Sequence, residues 1–319
     1  AVSNVIKDGN LSTLNCTEEV FLAEKLIEMH PWFDMVRFAR TGGEANAIAI
    51  RIARAFSSKD NVAECGYHGW HDWYLSANLT DQKNLDSHLL PGLSPDGVPK
   101  NLKGTVFTFK YNDINSFSEI VDKNNIGVVK MEVSRSNEPN TQFLQEIREI
   151  CNKHSIVLIF DECTSGFRSA YGGIHINTGI KPDMAIFGKA LGNGYPITAI
   201  LGKGDIMQSA QSSFISSTFW TERIGYAAAL ATLKEMKKIS SWKIISETGN
   251  LIRQEWTRMS QKYNLRFDVS GISALPTMTF DSDEGLLFKT LISQEMLKRG
   301  YLASNSVYCC TQHTSGILK

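Results

Sequence analysis

The stretch from Ile114 to Glu162 constrains the fold most. In it "INSFSEIVDK" has the spacing of an amphipathic helix and feeds the apolar run "GVVKMEV", Gly127 to Val133; "FLQEIREICNKH" then feeds "SIVLIFDE", Ser155 to Glu162. Two consecutive helix-to-strand units imply crossover connections, and strands joined by crossovers pair in parallel. The same alternation continues outside that stretch. Helical spacing runs from Cys16 to Met29, with Thr17 as the expected cap and Pro31 beyond the end, and from Glu44 to Phe56, behind Thr41-Gly42-Gly43. A further strand is expected at Met184 to Phe187, a second apolar run at Ile197 to Leu201, and a long helix at Thr221 to Lys238. The pattern predicts an α/β fold. A large domain over residues 1–238 would carry a mainly parallel sheet flanked by helices, and a smaller C-terminal α+β domain would take residues 239–319. Both ends read as cut inside a domain.

Charge narrows the partners. The 319 residues carry 33 basic and 33 acidic side chains, a formal net charge of zero, and no basic run or aromatic-basic stripe, so no nucleic acid is expected as partner. A small molecule is. The six cysteines have no paired metal-type spacing and are too sparse for a disulfide scaffold, which points to a reduced, cytoplasmic protein. The first residues lack the charged and apolar regions of a signal peptide, and no apolar run approaches about 18 residues, so no membrane span is expected.

In open α/β sheets ligands gather outside the carboxyl ends of the strands. Three chemically capable residues stand at such ends: Glu132, Asp161 and Lys189. Asp161 follows "IVLIF" and should emerge at the mouth of a buried central strand, where a carboxylate needs a positive partner. Lys189, in "MAIFGKALGNGYPI", is open to two readings. One makes it the structural counter-ion of Asp161. The other makes it a desolvated nucleophilic amine that forms a Schiff base with a carbonyl cofactor whose ring nitrogen Asp161 keeps protonated. Pyridoxal 5'-phosphate has both needs. Thr41-Gly42-Gly43 ahead of a helix would cradle its phosphate with backbone N–H groups, or is an ordinary tight turn. Tyr67-His68-Gly69-Trp70-His71 supplies rings to stack on a pyridine face. Cys65, His68 and His71 invite a zinc reading, but no second ligand pair has the usual spacing, so no metal is expected.

Taken together these residues resemble the class III, fold type I, pyridoxal-phosphate-dependent aminotransferases, and within them the glutamate-1-semialdehyde aminomutase branch. The resemblance rests on "MVRFARTGGEANAIAIRIARA" from Met35, "CGYHGWHDW" from Cys65, "LLPGLSPDGVPKNLKGTVFTFKYND" from Leu89, "IVLIFDECTSGFRSAYGG" from Ile156, "PDMAIFGKALGNGYPITAILG" from Pro182 and "SSTFWTER" from Ser216, in family order. It implies that Lys189 is the internal-aldimine lysine and proton shuttle, and that Asp161 pairs with the pyridinium nitrogen. Tyr67 would stack on one ring face and Cys163 pack on the other, while Gly42 and Gly43 bind the phosphate. Thr218 would reach the phosphate of a neighbouring subunit in a homodimer. Glu132 and His68 would support these groups. The segment from Leu89 to Lys103 resembles a mobile gating loop.

The sequence departs from the family at Gly43, where a hydroxyl residue is usual, and at Val133, where proline is; "SRSNEPN" replaces a glycine-rich continuation. Trp220 and Arg223 are bulky additions near the subunit boundary. The family's N-terminal segment is expected to be lacking and the small domain truncated. Three functions stay open: an aminotransferase moving an amino group from a small-molecule donor to a keto or aldehyde acceptor, an intramolecular aminomutase, and an inactive relative that acts as a binding partner. The polar, aromatic segment from Tyr67 to Tyr74 suggests a substrate with several hydroxyls, such as a sugar-linked precursor.

Overall fold

The computed structural model describes residues 1–88, 91–134, 136 and 140–318. Leu89 and Leu90 of the expected gating loop, and Arg135 and residues 137–139 of "SRSNEPN", lie outside the described residues. The chain divides into two compact units: the described residues of 1–133, 139–166 and 172–234 form the first, and those of 134–138, 167–171 and 235–319 the second.

The first unit is built on a sheet of seven strands: β1 (Met35–Ala39), β2 (Asn61–Cys65), β3 (Val106–Thr108), β4 (Ile126–Glu132), β5 (Val157–Glu162), β6 (Met184–Phe187) and β7 (Thr198–Gly202). Their order is β1-β7-β6-β5-β4-β2-β3. Strands β3, β2, β4, β5 and β6 are parallel, as the helix-to-strand units require. β7 returns antiparallel to β6 and pairs antiparallel with β1. The link from Phe187 to Thr198 is too short for a crossover, so antiparallel pairing is what the chain can reach.

One sheet face changes character along the strands. Val62, Val128, Val157, Ile159, Met184 and Ile186 make it apolar at depth, packed against the helix Gly42–Ser57. Toward the carboxyl ends the same face carries Glu64, Lys130, Glu132 and Asp161, with Glu64 in register with Lys130 and Glu132 with Asp161. The period-two alternation of a strand sends these residues to the same side as the apolar ones beneath them.

Several element ends differ from the sequence expectation for local reasons. The first helix runs Thr17–Met29 with Cys16 at its N-cap, so Thr17 is inside the helix and caps nothing; its hydroxyl donates to Glu18. The helix after Thr41 begins at Gly42, because the Thr41 hydroxyl accepts from Glu44 N–H while the Glu44 carboxylate accepts from Thr41 N–H, a capping box. β4 starts at Ile126 and ends at Glu132, one residue earlier at each end; β5 starts at Val157 because Ser155 is left-handed at φ 52°. The long helix begins at Arg223, where the Glu222 carboxylate accepts from Ile224 and Gly225 N–H.

The second unit contains a long helix, Ser241–Tyr263, an antiparallel pair β8 (Phe267–Ser270) and β9 (Thr277–Phe280), and the helix Gly285–Lys298. Its small core gathers Ile245, Ala274 and Cys309. No described helix is long and apolar enough to cross a membrane.

Asp183, just before β6, ties three elements together. It accepts from Leu158 N–H at 2.9 Å, from Arg148 at 2.8 Å and from Lys203 at 2.6 Å. Removing the Asp183 carboxylate leaves the buried Leu158 N–H without its acceptor and part-buried Arg148 without its counter-charge, which together cost about 2 kcal/mol, while the partly exposed Lys203 returns to water. Asp183→Ala should therefore lower the urea midpoint of the apoprotein by that amount once multiplied by the m-value, and an unchanged midpoint contradicts this role.

Candidate active site

Lys189 follows β6 by way of extended Gly188 and opens a short 3₁₀ turn, Lys189–Leu191. Its φ of 45° is left-handed, a conformation costing a non-glycine residue roughly 1–3 kcal/mol. The turn is held by Leu191 N–H on Gly188 O and Asn193 N–H on Lys189 O. Gly192 is obligatory, since a Cβ there would stand 2.0 Å from Tyr195 O. The Lys189 amine donates to Thr164 Oγ1 at 2.7 Å. Contrary to the expectation of a desolvated amine, Lys189 is exposed: it lies past the strand's end, where the apolar sheet face no longer covers it.

Asp161 is buried, and its cation is Lys130. Lys130 Nζ lies 3.4 Å from Asp161 Oδ2, and His68 Nδ1 lies 2.9 Å from the same oxygen; Oδ1 accepts from Cys163 N–H at 3.0 Å. The reading of Lys189 as the structural counter-ion of Asp161 is thereby corrected. Burial alone pushes the Asp161 carboxyl upward, but the Lys130 charge and the bonds from His68 and Cys163 outweigh it and hold the carboxyl well below its ordinary range. Its neighbour Glu162 faces the opposite side of the sheet, where it accepts from His175 and from the N–H groups of Ile174 and His175.

Around this pair lie further buried ionisable groups. His68 is fully buried; burial, then the Lys130 charge, lowers its pKa to about 4, so the ring is neutral and Nδ1 donates to Asp161. Glu64 Oε2 stands 3.8 Å from His68 Nε2, and Glu64 Oε1 3.5 Å from His88 Nε2. Neither Glu64 oxygen has a hydrogen-bond partner. Burial and the nearby Glu132 raise the Glu64 carboxyl well above its usual value, with Lys130 offsetting only part. His88 Nδ1 accepts from Gly66 N–H at 2.9 Å, and burial lowers its pKa to about 4.

The remaining predicted residues take distinct places. Glu132 Oε2 accepts from Tyr67 N–H at 3.0 Å and so fixes the backbone that carries the ring. Gly66, at φ 123°, has no room for a side chain, which would meet Glu132 Cγ at 2.9 Å. Cys163 is a buried thiol pushed well upward in pKa, first by burial and then by Asp161, and its Sγ lies where Gly42 and Gly188 approach. Gly42 and Gly43 begin the helix whose capping box occupies other donors, so their own N–H groups lack intrahelical acceptors. A Cβ at Gly43 would meet the His71 ring at 3.0 and 3.1 Å, so the imidazole packs against Gly43 where a side chain would otherwise stand. Thr218 is exposed in the turn Thr218–Thr221, and no hydrogen bond among the described residues joins it to the others. Its segment is nevertheless anchored: Trp220 Nε1 donates to Glu44 Oε1 at 2.9 Å, and Arg40 donates to the carbonyls of Phe219, Trp220 and Glu222. Arg223 pairs with Glu18. No group of three metal-capable side chains occurs among the described residues.

Sequence reasoning missed Lys130, Glu64, Thr164 and His88. The lysine was visible inside the strand motif "GVVKMEV", where a charge in an apolar run demands a partner.

This architecture is that of the fold type I pyridoxal-phosphate enzymes. A structure of the PLP internal aldimine form of the FumI protein of Sphingopyxis sp. MTA144 superposes with a TM-score of 0.87 at 23% identity, over 99% of this chain and 75% of that one. The Aminotransferase class-III family model matches residues 1–302, and the chain belongs to that family. It is 31% identical to a 3-aminobutyryl-CoA aminotransferase of Cloacimonas acidaminovorans, over 98% of this chain and 75% of the relative. It is 32% identical to a glutamate-1-semialdehyde 2,1-aminomutase of Methanococcoides burtonii, over 89% of this chain and 68% of the relative. The family's cofactor is pyridoxal phosphate. The residues fit it: a buried anion for a ring nitrogen, unclaimed N–H groups at a helix start for a phosphate, and a primary amine at a strand end.

The buried groups set a pH dependence. His30, His68 and His88 each have a folded pKa of about 4 against an ordinary 6.5, so from about pH 6.5 down to 4.5 the unfolded chain takes up as many as three protons that the fold excludes. Glu64 opposes them, because the fold retains its proton above the ordinary 4.5. Three against one leaves a net of about two near pH 5.5, where stability falls on acidification by about 2.7 kcal/mol per pH unit; toward pH 4.5 the lowered carboxyls of Glu18 and Glu162 steepen the fall and the raised Glu19 offsets part of that. Urea unfolding of the apoprotein between pH 6.5 and 4.5 measures the slope, and stability rising on acidification contradicts the assignment.

Proposed function

We propose that this class III enzyme transfers an amino group between a small amino donor and a keto or aldehyde acceptor, with Lys189 as the amine that engages the cofactor's carbonyl carbon. One observation carries the reading. Asp161 already has a cation in Lys130, and the only polar partner of the Lys189 amine among the described residues is the neutral hydroxyl of Thr164. A lysine spared from ion pairing, held in a strained turn beside a buried aspartate, is disposed for nucleophilic and proton-transfer work.

Bound pyridoxal phosphate supplies a carbonyl carbon for the amine and a ring that draws electrons from the bond to be broken. Asp161, held by His68 and Cys163 N–H, presents its carboxylate to the ring nitrogen. Gly42 and Gly43 N–H groups would receive the phosphate, and the His71 imidazole, packed where a Gly43 side chain would be, would take the place of the hydroxyl that position 43 lacks. Tyr67, fixed through Glu132, covers one ring face and Cys163 the other. Lys189 would move a proton at the substrate carbon that bears nitrogen.

Thr218 is read as serving the phosphate of a second copy in a homodimer. Its exposure, between Phe214 at 87% and Phe219 at 62% exposed, supports a surface that another chain covers. Residues 1–238 are read as the cofactor domain and 239–319 as the small domain, and six free cysteines support a cytoplasmic setting. The relatedness to an aminomutase favours a second reading, amino migration within one molecule.

Wild-type protein should show a visible absorption band with pyridoxal phosphate that borohydride fixes to the chain. Lys189→Ala should lack it, and a full band in that variant refutes the assignment. Incubation with a single amino-ketone separates the readings: isomerised product without net donor consumption rejects intermolecular transfer. His71→Ala should weaken cofactor binding by about tenfold, the worth of one charge-assisted bond. Equilibrium dialysis showing unchanged affinity refutes its phosphate role.

A further inference from the structure

We propose that Lys130 is the positioning residue for Asp161: its buried ammonium commits the carboxylate to the anion and so directs the proton shared between Asp161 and a ring nitrogen onto the nitrogen. The inference rests on the reading of Asp161 as the partner of the cofactor ring.

Lys130 sits on the interior strand β4 with no solvent exposure, on the face that is apolar beneath it and chemical above it. Its side chain ends 3.4 Å from Asp161 Oδ2, and its Nζ finds no hydrogen-bond partner. A buried ion pair is weak grounds for stability, since an apolar pair of similar volume usually serves as well. An ammonium left short of hydrogen bonds inside a sheet is therefore not explained by packing. The groups around it explain it better. Glu64, in register across the strand pair, is driven to its neutral form; His68 and His88 are neutral; Glu132 holds Tyr67. Asp161 is the carboxylate that the Lys130 ammonium touches.

Consider one proton placed between Asp161 and a pyridine nitrogen. On the oxygen it leaves a neutral acid facing a neutral ring; on the nitrogen it leaves a carboxylate facing a pyridinium. No other atom moves, Asp161 keeps its electron pair, and Lys130 keeps its three protons. The two placements differ in charge on the carboxylate, and a cation in contact with that carboxylate favours the second. His68 donates one hydrogen bond and carries no charge, so it orients Asp161 without supplying this bias. Without Lys130, burial would favour the neutral acid.

The test compares wild type, Lys130→Met, which keeps the length of the side chain, and Lys130→Arg, which restores the charge. Nitrogen NMR of holoenzyme carrying cofactor labelled at the ring nitrogen should show a pyridinium resonance in wild type. The resonance should move to the neutral pyridine region in K130M and return in K130R. A pyridinium resonance in K130M overturns the proposal. A second measurement guards against simple misfolding: binding of the cofactor is compared with that of its analogue bearing CH in place of the ring nitrogen. The preference for the cofactor over the analogue should shrink about tenfold in K130M, whereas equal loss of both ligands overturns the proposal. Wild type that binds no cofactor through Lys189 fails the underlying reading; wild type and K130M alike in ring protonation fail this proposal alone.

Discussion

An aspartate buried at the end of a central strand must carry its charge where water cannot help it. The contact with Lys130, at 3.4 Å, is what makes that tolerable. At an effective dielectric of about 20 the pair attracts by about 5 kcal/mol, before the cost of taking both ions out of water is subtracted. His68 and the Cys163 N–H add oriented hydrogen bonds to the two carboxylate oxygens. The neutral states of His68 and Glu64 follow from the same economy of charge: burial disfavours further ions beside the pair, so Glu64 keeps its proton and His68 does without its second one.

The sheet topology puts these groups within reach of each other. Parallel strands β2, β4 and β5 all end on the same edge, so residues near their carboxyl ends share a face and a level. The register that pairs Glu132 with Asp161 and Glu64 with Lys130 converts residues far apart in the chain into direct neighbours. β6 ends on that edge too, and the chain must then reverse into antiparallel β7 between Phe187 and Thr198. The left-handed Lys189 and the closely packed Gly192 are the means of that reversal. The backbone strain at Lys189 is thus tied both to the sheet's connectivity and to the direction in which the amine points.

Much of this was legible in the chain. The parallel core followed from the two helix-to-strand units, and Asp161 and Lys189 stood out because each closes an apolar run. What the sequence concealed was pairing. A lone aspartate at a strand end needs a cation, and "GKALGNG" offered a lysine at the right level, whereas the cation in use lies mid-strand in "GVVKMEV", in register with Ile159, and reaches Asp161 diagonally along the face the two strands share. Glu64 was hidden for the same reason: a single acid in "NVAEC" reads as ordinary alternation until its neighbour across the sheet is known. Gly43 looked like a lost hydroxyl, and only the fold shows that the His71 ring fills the space. Thr17 looked like a cap because it stands where the helical spacing begins, but the helix takes it in as its first residue.

On the proposed function, the two lysines divide work that a single one could not do. A cation that stabilises the Asp161 anion must be fixed, buried and permanently engaged, because its value lies in never leaving. An amine that attacks a carbonyl and later carries a proton must be free to move, reach bulk water or substrate, and lose its own proton. The fold separates these demands by depth: Lys130 is held within a strand under the sheet's apolar cover, and Lys189 stands past the end of one, exposed and bonded to a neutral hydroxyl. Were Lys189 the counter-ion of Asp161, every departure of its amine toward a substrate would strip the aspartate of its charge partner at the moment a ring nitrogen depends on it. With the counter-charge supplied from below by Lys130, the amine can come and go while the electrostatics of the aspartate stay constant.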